Sequence, residues 1–189
     1  MEPLLQRLRR GQPVVGDGGW GTMLMERGLE PGRCPETFNL DRPELLSEIG
    51  SLYLKAGAEI LTTNTFGASP LKLKAHGLDA QAGRINRSAV AALREIAAGR
   101  AWVSGSIGPT GAILKPYGDA DEDEVYGGFE QQIEALAEAG ADLLCVETMI
   151  DLREAGLALK AARNVAPELP VVATMTFDPT PRGVFTSMG

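Results

Sequence analysis

Two rhythms of apolar residues alternate along the chain. Short apolar runs of five to eight residues, bounded by Gly or Pro, read as buried strands; longer stretches with apolar residues every three or four positions read as helices. Residues 1–10 form a short helix with Leu4, Leu5 and Leu8 on one side. Residues 13–17 form a first strand whose alternation puts Val15 and Asp17 on one face. A loop with one helical turn at residues 22–27 follows. Asn39 or Asp41 is placed to cap a helix starting near Pro43 and running over 44–56, since Pro suits the first helical position. Gly57 ends it, and a second strand covers 58–64. Helices are predicted over 71–75 and 81–98, a third strand over 102–107, a helix over 125–139, a fourth strand over 141–148, a helix over 152–165 capped by Asp151, and a fifth strand over 171–177. The tail, 178–189, shows no regular pattern and reads as the start of a loop after that strand.

Apolar strands separated by helices predict a parallel sheet covered by helices. Two architectures answer to that order: an open doubly wound sheet, and a (β/α)8 barrel represented by its first five βα units. In both, chemistry gathers at the C-terminal ends of the strands. Those ends carry Asp17, Asn64-Thr65, Ser106 to Gly108, and Glu147. Polar residues or glycine at four strand ends favour a barrel mouth. The segment Gly16-Asp17-Gly18-Gly19-Trp20-Gly21 places an acid where a phosphate requires bare amides, which disfavours a dinucleotide site. The phrases Lys55-Ala56-Gly57-Ala58 and Glu138-Ala139-Gly140-Ala141 rhyme, each a helix end, a glycine stop and the start of a buried strand.

Composition narrows the function. The chain of 189 residues suits a single domain, 1–189, with a real core. A net charge of −7 disfavours nucleic acid and anionic membranes and points to a small-molecule partner. No apolar run approaches the roughly 18 residues of a membrane span, and the N-terminus lacks a signal-peptide layout. Two distant cysteines, Cys34 and Cys145, argue against a disulfide scaffold and fit a reducing cytoplasm. The single histidine, His76, sits at a helix end before Gly77 and reads as solvated. The acids from Asp119 to Glu124 read as a helix N-terminus, where the macrodipole favours them.

Asp17 and Glu147 end two different strands, so their carboxylates converge on one cavity. Paired carboxylates serve acid–base work, a metal, or an ammonium group. The adjacent Gly18 and Gly19 offer backbone N–H groups suited to an anion. Acids for an amine beside amides for a carboxylate suit a zwitterionic α-amino acid. The competing reading is structural, with Asp17 capping a turn and Glu147 pairing within the core.

Five segments occur in one order: Asp17-Gly18-Gly19-Trp20-Gly21-Thr22-Met23-Leu24, Thr63-Asn64-Thr65-Phe66-Gly67-Ala68, Gly105-Ser106-Ile107-Gly108-Pro109-Thr110-Gly111, Val146-Glu147-Thr148 and Met175-Thr176-Phe177-Asp178. Together they resemble the homocysteine S-methyltransferase family, most of all the N-terminal module of cobalamin-dependent methionine synthases, with the betaine–homocysteine enzymes more distant. The resemblance implies a (β/α)8 barrel. It places the amino group of homocysteine on Asp17 and Glu147, its carboxylate on the amides of Gly18 and Gly19, and Asn64, Thr65 and Phe66 along the same mouth. It implies a zinc that binds the substrate thiol and lowers its pKa, and a methyl donor: methylcobalamin on another domain, betaine or S-methylmethionine.

The resemblance puts that zinc on one cysteine ending a sixth strand and a pair after the eighth. Five strands do not reach them. Cys145 reads as a small buried side chain and Cys34 as a loop residue beside Pro35. The expectation is therefore an incomplete barrel, with metal ligands and catalytic residues beyond residue 189, that binds homocysteine weakly and transfers no methyl group alone. Two other readings stand beside it: a non-catalytic amino-acid-binding or assembly piece, and a pterin-binding barrel methyltransferase using Asp17 and Asn64 for a heterocycle.

Overall fold

The computed structural model of the chain describes residues 2–186 and 188. Helices α1 (Leu4–Arg9), α2 (Trp20–Met25), α3 (Phe38–Asp41) and α4 (Pro43–Lys55) precede strand β1 (Ile60–Thr62). Then come α5 (Pro70–Lys74), α6 (Ala82–Ala97), β2 (Trp102–Ile107), α7 (Glu122–Glu138), β3 (Leu143–Met149), α8 (Leu152–Val165) and β4 (Val171–Met175). The chain finishes with β5 (Asp178–Thr180) and β6 (Gly183–Phe185).

β1 to β4 form one parallel sheet in sequential order. Alternate residues divide its faces. Leu61, Val103, Ile107, Leu144 and Val146 point into the main core, where they meet Leu46 and Ile49 of α4, Val90 and Leu93 of α6, Phe129, Ile133 and Leu136 of α7, and Ala158 and Ala162 of α8. All four long helices thus cover one face. A doubly wound sheet divides its helices between two faces, so the open-sheet alternative is disfavoured. On the other face Leu4 of α1 packs with Trp102 and Leu143, and with the half-buried Val14 and Ile60. That cluster plugs the N-terminal end of the inner face and leaves its C-terminal end to polar residues.

The helix stops at the rhyming phrases share one geometry. Gly57 and Gly140 have φ of +100° and +92°. The next amide reaches back five residues, Ala58 to the Tyr53 carbonyl and Ala141 to the Leu136 carbonyl. This is the Schellman closure that a residue without Cβ allows most readily.

Three expectations need correction. The first predicted strand is only a single parallel bridge, Gly16 to Ile60, reinforced by Val15 and Asp17 backbone bonds to residues 59 and 60. Pro13 donates no ladder bond, and the glycines from Gly16 onward resist extension, so pairing stops at once. Val14 packs inward, and Val15 is largely exposed. Neither Asn39 nor Asp41 caps α4. Its N-cap is Arg42, and Asn39 is buried within α3. The tail is not irregular, since β5 and β6 pair as an antiparallel hairpin. Expectations for Met1, Ser187 and Gly189 lie outside the described residues. Among the described residues no helix is long and apolar enough to cross a membrane.

Candidate functional site

A cavity of about 500 Å³ opens at the C-terminal end of the sheet. Of the seven residues expected at the site, six line it: Asp17, Gly18, Gly19, Asn64, Phe66 and Glu147. Thr65 does not. It is fully buried behind the cavity, where its hydroxyl bonds to the Ser106 carbonyl at 2.8 Å and to the Thr63 hydroxyl at 2.6 Å. The segment after β1 is a turn and not a strand, and it aims Asn64 and Phe66 at the cavity while Thr65 is turned into the polar cluster behind it.

Asp17 sits at the bridge between the chain start and β1. Its Oδ2 accepts the Thr62 amide at 2.7 Å and the Trp20 indole N–H at 3.0 Å, and its Oδ1 accepts the Thr62 hydroxyl at 2.7 Å. Burial pushes its carboxyl up from the ordinary value, opposed by the bonds from Thr62 and Trp20. The amides of Gly18 and Gly19 have no protein acceptor among the described residues. The Tyr53 hydroxyl donates to the Gly19 carbonyl at 2.8 Å and fixes the turn. A Cβ on Gly18 would lie 3.1 Å from the Tyr53 oxygen, so glycine suits this close approach.

Glu147 comes from β3, where the ladder to β4 is irregular. Val146 pairs with Ala173 but Met149 with Met175, so three steps on β3 answer two on β4. Within this bulge Thr148 takes a φ of +60°, uncommon for a β-branched residue. A bulge with a strained residue beside a cavity acid re-aims that acid. Glu147 Oε1 accepts the Ser106 hydroxyl at 2.5 Å, while Oε2 accepts no bond among the described residues.

Sequence reasoning missed several lining residues. Glu36 is one, 4 % exposed, held by the Gly67 amide at 2.7 Å and the Cys34 thiol at 3.0 Å. A lone acid in a loop after Pro35 carries no signal in one sequence. Ser106, read in the sequence only as a polar strand end, also alternates with Ser104 within an otherwise apolar strand, on the face whose end holds the acids. Asn64, fixed by Asn39 Oδ1 and the Pro35 carbonyl, completes the wall with Thr62, Thr63 and Trp20. Three carboxylates and no lysine or arginine line the cavity, so it favours a cationic group.

A zinc ion does not fit the donor set. Among the described residues no three or more His, Cys, Asp or Glu side chains are grouped to hold a metal. Both cysteines are free. Burial pushes the Cys145 thiol up to about 11, and burial with the neighbouring Glu36 pushes Cys34 up to about 12. His76 is exposed on the turn after α5, as expected.

With this geometry in hand, the likeness to known proteins is decisive. The sequence profile described as homocysteine S-methyltransferase matches residues 14–188. The chain belongs to that family. Betaine–homocysteine S-methyltransferase 1 of Danio rerio is 32 % identical over 180 residues, covering 93 % of this chain and 44 % of the relative. The Sus scrofa protein of the same name is 32 % identical over 184 residues, covering 93 % and 64 %. The oxidized homocysteine methyltransferase MmuM of Escherichia coli superposes with a TM-score of 0.77 at 25 % identity, covering 90 % of this chain and 64 % of MmuM. Its metallated form gives 0.75 at 26 % identity. The chain spans about half the length of most of the curated relatives it matches.

Proposed function

We propose that residues 1–189 form the substrate-holding portion of a homocysteine S-methyltransferase domain, built on a (β/α)8 barrel. Sequential strand order and a one-sided helix layer support the barrel. The observation that carries the function is the pairing, in one cavity, of the open Oε2 of Glu147 with the unbonded amides of Gly18 and Gly19. Glu147 takes the amino group, with Asp17 adding negative charge and a fixed wall. The two amides take the carboxylate. Asn64 and Phe66 border the side chain. A cavity of about 500 Å³ admits an amino acid of this size with room at the mouth.

On this reading the described residues bind and orient homocysteine but group no set of zinc ligands, so thiol activation and methyl transfer would need ligands that these residues do not hold. A zinc ion held by such ligands would lower the pKa of the substrate thiol. The betaine enzymes among the relatives support a betaine-like donor; S-methylmethionine and methylcobalamin are the other donors the family resemblance implies. Unpaired thiols suit a cytoplasmic setting. Isothermal titration against homocysteine and against a tetrahydrofolate tests the reading. Heat with homocysteine alone supports it; binding of the folate alone would transfer the site to the pterin alternative.

A further inference from the structure

Ser106 lies one pleat below Glu147 on the neighbouring strand, opposite Cys145 in the β2–β3 register. Its side chain is 2 % exposed, and every polar group of the residue is engaged. The amide donates to the Thr63 hydroxyl at 3.0 Å. The carbonyl accepts the Thr65 hydroxyl at 2.8 Å and the amide of the fully buried Gln132 at 3.3 Å. The hydroxyl therefore stands on a frame tied to the loop after β1 and to α7, and it donates to one oxygen of Glu147 at 2.5 Å. Glu147 needs such a frame. It is half-exposed and sits within the bulge in β3, and no other bond to its carboxylate is made by the described residues.

We infer that Ser106 is the positioning residue for amine recognition: it fixes Glu147 Oε1 so that Oε2 faces the ligand's ammonium group. A carboxylate left to rotate must lose that freedom on binding, which costs affinity. A held carboxylate binds without that loss. The polar Thr63-Thr65-Gln132 cluster becomes the support of that hold. This inference rests on the homocysteine reading for its ligand, but not for its geometry.

The test compares homocysteine with its des-amino analogue, 4-sulfanylbutanoate, by titration. Ser106→Ala is expected to weaken homocysteine binding by about tenfold, the upper cost of immobilising one rotamer-rich side chain on binding. Binding of the analogue, which has no amine to place, stays within about twofold. Ser106→Thr, which keeps the hydroxyl, restores most of the amine-specific affinity. Equal weakening of both ligands, or no change in homocysteine binding, overturns the inference. A crystal structure of unliganded Ser106→Ala separates this from the functional reading. If wild type binds no homocysteine, the proposed function fails, while the positioning claim is decided by whether the Glu147 carboxylate leaves its place in the variant. A carboxylate that stays in place overturns the claim; a displaced one supports it.

Discussion

Thr62 holds both oxygens of Asp17, its amide on Oδ2 and its hydroxyl on Oδ1, each at 2.7 Å. This pair ties the glycine turn to β1 where strand pairing has already stopped. Asp17 is thus a hinge pin of the turn as well as a wall of the cavity. The Thr62 bonds oppose the burial that raises its carboxyl pKa.

Thr62→Val removes the hydroxyl and keeps the shape. The fold should lose about 1–3 kcal/mol, as expected for a bond to a charged group, and the Asp17 pKa should rise further. Urea unfolding and carboxyl NMR titration check both. Unchanged stability with an unchanged Asp17 titration would mean that the turn is held by other means.

Glu154 of α8 has a comparable role in the loop after β2. Buried at 3 % exposure, its Oε1 accepts the Thr110 amide at 2.8 Å and hydroxyl at 2.5 Å, pinning that loop. Burial is the largest influence on its carboxyl and drives the pKa up, with Asp151 adding to the rise and Thr110 and Lys72 opposing it. Because the folded pKa lies above the unfolded value near 4.5, the folded state takes up the proton first. Stability from this group therefore grows as pH falls through the folded pKa, and is fully present below the unfolded one; above the folded pKa the buried charge costs stability. Glu154→Gln keeps an acceptor for Thr110 and removes the charge. Its melting temperature should fall less than that of wild type as pH rises from about 4 to about 8. Parallel curves would refute the assignment.

The thiols give a third prediction. With pKa values of about 12 and 11, Cys34 and Cys145 carry little thiolate at pH 8, fractions of roughly 10⁻⁴ and 10⁻³. Iodoacetamide should label the folded protein at least about a hundredfold more slowly than the urea-unfolded chain. Rapid labelling of either residue in the folded state would show an ionised, accessible thiol and contradict the prediction.

Much of the fold was legible because its signals were local. Strand 102–107 matches the predicted bounds, and both helix stops lie at the glycines that mark them. Asp151 caps α8, as predicted, through a side-chain bond to the amide of Arg153 two positions on. Features set by distant partners were not legible. Nothing near Glu36 announces that it will hold the amide of Gly67, thirty-one residues away. The hairpin of β5 and β6 hides in a stretch rich in Pro, and the bulge that turns Glu147 depends on a register between two strands. That Asp17 and Glu147 share one cavity was legible because strand ends of a parallel sheet converge. Thr65 was misplaced because motif membership does not reveal which way a loop residue faces.

The most direct measurement is a crystal structure of the protein with homocysteine. The account predicts the ligand amine within about 3 Å of Glu147 Oε2 and the ligand carboxylate at the amides of Gly18 and Gly19. The sulfur should point out of the cavity, away from both cysteines. Homocysteine bound outside this cavity, or lying reversed with its carboxylate against Glu147, would contradict it.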